Sequence, residues 1–251
     1  MRRLAWRLGS LAVLAACIAA WGFVAARKII PPLFLPTPAR AWNALIAGFT
    51  RGDLLAKLEG TLTHMAVGWI VASCAGVALG ALIGSSARAR TYIGPTLEFL
   101  RPLPASAIIP VAIALFGLTP AMAVGVIAFG SIWPMLLATV HGFAHVEPRL
   151  EEVARALQMS RLSVAFKIAL PSATPDILAG LRLGLTVALI LAVVCEMIAG
   201  LDGLGQWELL AARAYRSPDI FAGVMLLGAI GLTANAALSL IEARALRWRG
   251  R

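Results

Sequence analysis

Charged residues are scarce in this chain: Asp, Glu, Lys and Arg make up 14% of 251 residues, against 60% hydrophobic ones. A soluble domain of this length needs far more polar surface, so a water-soluble enzyme or binding domain is excluded. Cysteine is rarer still. Cys17, Cys74 and Cys195 show neither a disulfide framework nor metal-ligand spacing. They are expected as small packing residues inside apolar helices. Three histidines do not make a metal site either. His141 and His145 are four apart and share a helix face, but no third ligand sits nearby. No His/Asp/Glu cluster or nucleophile–base pair falls within the apolar segments, which argues against an intramembrane enzyme. The phosphate loop G-x-x-x-x-G-K-S/T is missing, so the chain does not hydrolyse ATP by itself. No cofactor and no metal are expected.

What the chain does have is long stretches free of Asp, Glu, Lys and Arg. They are Leu8–Ala26, Gly60–Ala87, Pro102–Val146 and Ile220–Ile241, with Leu183–Ile198 charged only at Glu196. A helical membrane span needs about 20 apolar residues. The Pro102–Val146 stretch suits two spans, turning near Gly117-Leu118-Thr119-Pro120. The prediction is an all-α integral membrane protein with about six spans, at 8–26, 61–84, 103–118, 121–141, 179–199 and 220–241, the third short enough to be tilted or broken. Residues 1–55 form an N-terminal span and outer segment; residues 56–251 form the core. The first span has the basic start of a signal peptide (Arg2, Arg3, Arg7). Its apolar run is longer than a signal core and leads into Arg27-Lys28-Ile29-Ile30-Pro31-Pro32, not a small-residue cleavage site, so it reads as retained.

Basic residues set the orientation. With the N-terminus inside, inner segments carry 13 of them: Arg2, Arg3, Arg7, Arg88, Arg90, Arg149, Arg155, Arg161, Lys167, Arg244, Arg247, Arg249 and Arg251. Outer segments carry 7: Arg27, Lys28, Arg40, Arg51, Lys57, Arg213 and Arg216. Both termini and the 142–178 loop are therefore expected in the cytoplasm. The net charge of +10 is mainly this topology signal, and nucleic acid is not expected as a partner.

In the second span Gly68, Ala72, Gly76, Gly80 and Gly84 recur every four residues. That places five small residues on one face, a groove for close helix approach. Spans three and four hold Pro110 and Pro134, each of which removes a backbone hydrogen bond and kinks its helix. Kinked helices often line a pathway, and these two prolines are candidates for it. Glu196 is the single acid inside a predicted span. A carboxyl group there is costly unless paired, protonated or wet. It is either a gate or pathway residue, or a structural one that reaches the interface or binds backbone amides around Gly200–Gly205.

The 142–178 loop is a polar island. Pro148 suits a first helical turn, and Glu147, Glu151 and Glu152 favour its positive end. Leu150, Val153, Ala154 and Leu157 make an apolar stripe, with Glu151–Arg155 as an i,i+4 pair beside it. Ser160 caps a second helix that Pro171 ends. Thr174-Pro175-Asp176 then starts span five. A loop this long among short ones is expected to meet a partner.

The spacing Glu152-Val153-Ala154, then Gln158, then Ile168-x-Leu170-Pro171 resembles the E-A-A-x3-G-x9-I-x-L-P loop of ABC-importer permeases. With Leu35-Pro36-Thr37-Pro38, Arg101-Pro102-Leu103-Pro104, Trp133-Pro134, Glu196-Met197-Ile198, Gly203-Leu204-Gly205 and Arg247-Trp248, the chain resembles the binding-protein-dependent importer superfamily, near its nitrate/sulfonate/taurine group. The resemblance implies a type I (MetI-like) permease fold in a bacterial inner membrane. It also implies a permease homodimer, two cytoplasmic ABC ATPase subunits gripping the loop, and an external solute-binding protein meeting segments 29–56 and 200–219. An anionic sulfonate, taurine or nitrate is the expected solute. A heterocyclic vitamin precursor (pyrimidine or riboflavin) is the alternative. A vitamin-uptake component without a soluble binding protein fits the loop spacing poorly. Gln158 stands where the family has glycine, so it must adopt a left-handed backbone or change the turn.

Overall fold

The computed structural model describes residues 2–247, leaving out the side chains of residues 2–8, 10, 11 and 151. All regular structure among the described residues is helical. The helices are α1 (Arg2–Ala26), α2 (Pro38–Arg51), α3 (Leu54–Gly84), α4 (Ala87–Leu100), α5 (Ala105–Phe116), α6 (Pro120–Ala144), α7 (Pro148–Ala156), α8 (Arg161–Ala199), α9 (Leu204–Arg213) and α10 (Ser217–Ala245). Helices α3, α6, α8 and α10 are long and apolar enough to cross a membrane. Helix α1 covers the expected first span, with its apolar part at Ala12–Ala26. The side chains of Arg2, Arg3 and Arg7, and residues Trp248, Arg249 and Arg251, lie outside the described residues.

The expected third span is a broken one, and its bounds are corrected. Residues 103–118 are one arm of a broken helix, because α4 and α5 meet at 87°. Helix α5 has 12 residues, about 18 Å at 1.5 Å per residue, well short of a bilayer core of about 30 Å. Pro102 and Pro104 cause the break: neither has an N–H to continue the ladder, and the backbone leaves helix between Arg101, still helical at φ −55° and ψ −45°, and Pro104, extended at φ −68° and ψ 115°. Gly117, at φ 69°, ends α5 in a backbone that only glycine adopts freely.

Helix α6 is the centre of the bundle, packed between α3 and α8. The small-residue face of α3 makes the first contact, and Gly68, Ala72, Gly76, Gly80 and Gly84 are all buried. A methyl group built on Gly80 would lie 2.6 Å from Thr139 Cβ and 2.7 Å from the Leu136 carbonyl oxygen. On the other side of α6, Gly180 and Gly184 of α8 press against the Pro134 and Ser131 carbonyls. Trp69 Nε1 donates to the Leu181 carbonyl at 3.0 Å, tying α3 to α8 directly. Cys195 is fully buried in this core. Cys17 and Cys74 are exposed, because their helix faces point away from it, so the packing role expected of all three holds for one.

The second correction concerns α8. Pro171 does not end a helix, and Thr174-Pro175-Asp176 does not start one; the helix runs unbroken from Arg161 to Ala199. Residues Ala165–Ala169 wind as a π turn, and the Leu170 N–H donates to the Ala165 carbonyl five residues back. The wider turn takes up the missing N–H and the ring of Pro171. Pro175 sits inside the helix one turn later, where neighbouring helices make such a kink tolerable.

Helix α10 lies at the edge and is mostly exposed. Arg182 of α8 pairs with Glu242 there and reaches Ser239. Helix α2 packs on α10. Trp21 of α1 stacks on Phe221 at 5.2 Å and donates to the Pro36 carbonyl at 2.9 Å.

Candidate functional site

The polar loop between α6 and α8 folds as helix α7, a tight turn, and the first turns of α8. Pro148 stands in the first turn of α7, as its fixed φ favours. The apolar stripe divides in two. Ala154 is 4% exposed, whereas Leu150, Val153 and Leu157 are 38%, 52% and 68% exposed. Glu152 is exposed beside them. The Glu151–Arg155 pair lies outside the described side chains.

Gln158 takes the left-handed backbone, at φ 49°. Its N–H donates to the Arg155 carbonyl at 3.0 Å, and the Met159 N–H donates to the Ala154 carbonyl at 3.0 Å. These two bonds form a Schellman stop, which normally uses glycine at this position. Ser160 Oγ then accepts from the Ser163 N–H at 3.2 Å and starts α8. Ile168 and Leu170 are half-buried and Pro171 is exposed. Leu170 packs against Phe143, Ala169, Ala173 and Ile177, which seat the loop on the end of α6. Glu152, Val153, Leu157 and Gln158 thus share one exposed surface, while Ala154, Ile168 and Leu170 face inward behind it.

The opposite end of α8 carries Glu196, which is fully buried. Its Oε2 accepts from Thr61 Oγ1 and from the Gly205 N–H, both at 2.9 Å. Its Oε1 lies 3.0 Å from His64 Nδ1. Thr61 Oγ1 accepts in turn from the Leu204 N–H at 2.8 Å. The loop between α8 and α9 is thereby fastened to the start of α3. A methyl group on Gly203 would lie 2.2 Å from the Glu196 carboxyl carbon, so that position needs the bare backbone. Outside the buried knot, Lys57 pairs with Asp202 and lies 3.5 Å from Asp53.

A second acid stands nearby. Glu208 of α9 is 7% exposed and its Oε1 has no partner among the described residues. Burial, and then the neighbouring Glu196, push its carboxyl pKa up to about 7. Thr61, His64 and Glu208 escaped the sequence reading. Thr61 and His64 are one helical turn apart at the same end of the bundle as Glu196. Glu208 lies on the buried stripe Leu204, Glu208, Ala211 of its helix.

Pro134 is half-buried and lines an open groove of about 650 Å³ with Arg101, Ser106, Trp133, Val187 and Leu191. Pro110 lies exposed on α5, away from that groove's walls. The two prolines are therefore not on one lining. No group of His, Cys, Asp and Glu among the described residues could hold a metal ion.

The comparisons with known proteins agree with this arrangement. The family described as "Binding-protein-dependent transport system inner membrane component" matches residues 76–247. The chain is 30% identical over 248 residues to the putative aliphatic sulfonates transport permease protein SsuC of Bacillus subtilis, covering 99% of this chain and 90% of that one. It is 30% identical to the taurine transport system permease protein TauC of Escherichia coli, over 99% and 95% of the two chains. With the nitrate import permease protein NrtB of Leptolyngbya laminosa it shares 31% identity, over 81% and 75%. A crystal structure of an amino acid ABC transporter with histidines superposes with a TM-score of 0.64 at 22% identity, covering 79% of this chain and 96% of that one. Matched along most of its length to such permeases and sharing their fold, this chain belongs to the binding-protein-dependent ABC importer family as a multi-pass membrane permease subunit.

Proposed function

We propose that two copies of this chain form the translocation path for a small anionic solute, of the sulfonate, taurine or nitrate type. The similarity to permeases named for those solutes supports the solute class. ATP hydrolysis belongs to separate subunits in this family, and we assign two such subunits to the 147–171 loops, on the cytoplasmic side with both termini. A binding protein delivers solute to segments 29–56 and 200–219.

One observation carries the coupling role: Leu150, Val153 and Leu157 stand exposed on a helix that ends in a fixed turn and leads directly into a 39-residue membrane helix. That helix is about 58 Å long at 1.5 Å per residue. A push on α7 therefore reaches the Glu196 end without crossing a flexible joint. In this scheme Glu152, Val153, Leu157 and Gln158 meet the ATPase. Ala154, Ile168, Leu170 and Pro171 seat the loop. Pro134 lines the path, Pro110 shapes α5 beside it, and Glu196 holds the far gate.

The test is co-purification of the tagged permease with its ATPase, followed by solute uptake in proteoliposomes with the binding protein. Glu152→Arg reverses charge at the docking helix and is expected to weaken ATPase association and uptake together. Unchanged association and uptake in that variant would remove the assignment.

A further inference from the structure

Two cavities meet at the coupling-loop end of the bundle, beside the Leu170–Phe143 packing that seats the loop. The first, of about 550 Å³, is apolar; its walls include Val77, Ala81, Leu82, Leu162, Phe166 and Leu170. The second, of about 670 Å³, is lined by Ser86, Arg88, Met159 and Arg161, among others. They share Ser85, Phe143, Arg161 and Ala165 as walls, so they lie side by side as two halves of one cleft region. Its polarity changes along its length. The apolar part opens beside Leu82 and Phe166, which are 71% and 67% exposed on membrane helices. The polar part lies past the ends of those helices, between the start of α4 and the turn before α8.

The charges are one-sided. No Asp or Glu lines either cavity. Neither Arg88 nor Arg161 has an ion-pair partner among the described residues. Arg90, their neighbour, is already committed to the Gly84 carbonyl. Two unneutralised guanidinium groups at the mouth of an apolar cleft match a molecule with a phosphate at one end and hydrocarbon at the other. A soluble anion leaves the apolar half empty. Basic pockets between membrane helices are known to take anionic lipid head groups.

We propose that this cleft binds one anionic phospholipid, its phosphate between Arg88 and Arg161 and an acyl chain against Leu82, Phe166 and Leu170. The lipid would then line the π turn of α8 on the side where the coupling loop joins the membrane. This inference needs only the membrane location of the chain and stands apart from the solute assignment.

The test uses the intact transporter complex, stripped of lipid in mild detergent and given back phosphatidylglycerol or phosphatidylcholine, with bound lipid read by native mass spectrometry. Phosphatidylglycerol is expected to stay bound to the permease and phosphatidylcholine to wash out. The double variant Arg88→Gln/Arg161→Gln should bind phosphatidylglycerol on the order of twentyfold more weakly, from the loss of two basic groups at the surface. Leu82→Trp, which fills the groove and keeps both arginines, should also lose it. Equal retention in wild type and both variants overturns the proposal. Displacement of the lipid by millimolar inorganic phosphate overturns the acyl-chain half. A cross-linker placed at Leu162 that captures the ATPase or a second permease chain instead of lipid overturns the choice of occupant.

Discussion

Replacing Glu196 separates its role as a hydrogen-bond acceptor from any role of its charge. In Glu196→Ala, the Gly205 N–H and the Thr61 hydroxyl lose their shared acceptor in a fully buried place. Each abandoned buried donor costs about 1–3 kcal/mol, so the variant should lose about 4 kcal/mol. For a chain of this size about 1 kcal/mol moves a midpoint by about 2–4 °C, which makes the expected shift roughly 10 °C. Glu196→Gln behaves differently. Its amide oxygen can take the Oε2 place and accept both donors, while its amine faces His64 Nδ1, which accepts in one tautomer. Its cost should stay under about 1 kcal/mol. The assay is thermal unfolding of the detergent-solubilised complex, followed by size-exclusion fluorescence, together with protease cutting between Gly200 and Gly203. Alanine should lower the midpoint and expose the loop; glutamine should do neither. Equal behaviour of the two variants, in either direction, would refute the acceptor argument.

Four further outcomes are expected. Glu208 titrates near 7 when folded, against an ordinary value of 4.5. Its raised value means that this contribution is full below about 4.5, falls as pH rises and is lost by the time pH has passed about 7, so Glu208→Gln should flatten the loss between those two values in midpoints measured across that range. Gly80→Ala forces a methyl against Thr139 and the Leu136 carbonyl and should cost about 1–3 kcal/mol. Gly125→Ala, with nothing within 4 Å, should instead gain about 0.5–1 kcal/mol in the same unfolding assay. Gln158→Gly relieves about 1 kcal/mol of left-handed strain but gives back most of it in unfolded-chain entropy. ATPase association should be equal or stronger, and loss of assembly measured by co-purification would contradict the turn geometry.

The sequence was most legible where one physical constraint repeats. Five small residues at fourfold spacing could only be a helix contact face, and they are one. The turn at Gln158 was readable because a left-handed stop leaves few alternatives. Pro171 misled because proline is a strong stop in water-facing helices, while a π turn and packed neighbours absorb it here. The 103–118 segment was legible only in part. Its apolar length suited a span, but Pro102 and Pro104 broke it at its start. Glu196 announced itself as an isolated acid; its partners Thr61 and His64 are more than 130 residues away, and no local pattern links them. The exposed stripe on α7 was visible as periodicity, whereas the inward turn of Ala154 depends on the fold.

The π turn has a rotational consequence. A π turn holds one residue more than the α turn it replaces, and each residue of a helix turns it by about 100°. Counting back in α register from Ala169 and Ala173, Leu162 and Phe166 belong to the core-facing side. They are 72% and 67% exposed instead. The extra residue has set the opening turns of α8 out of phase with its membrane part, facing them outward beside the end of α3. Deleting one residue from 165–169 should keep that phase while removing the bulge. Forcing the same five residues into α winding should swing Leu162 about 100° toward Phe143 and take it off the surface that the loop presents.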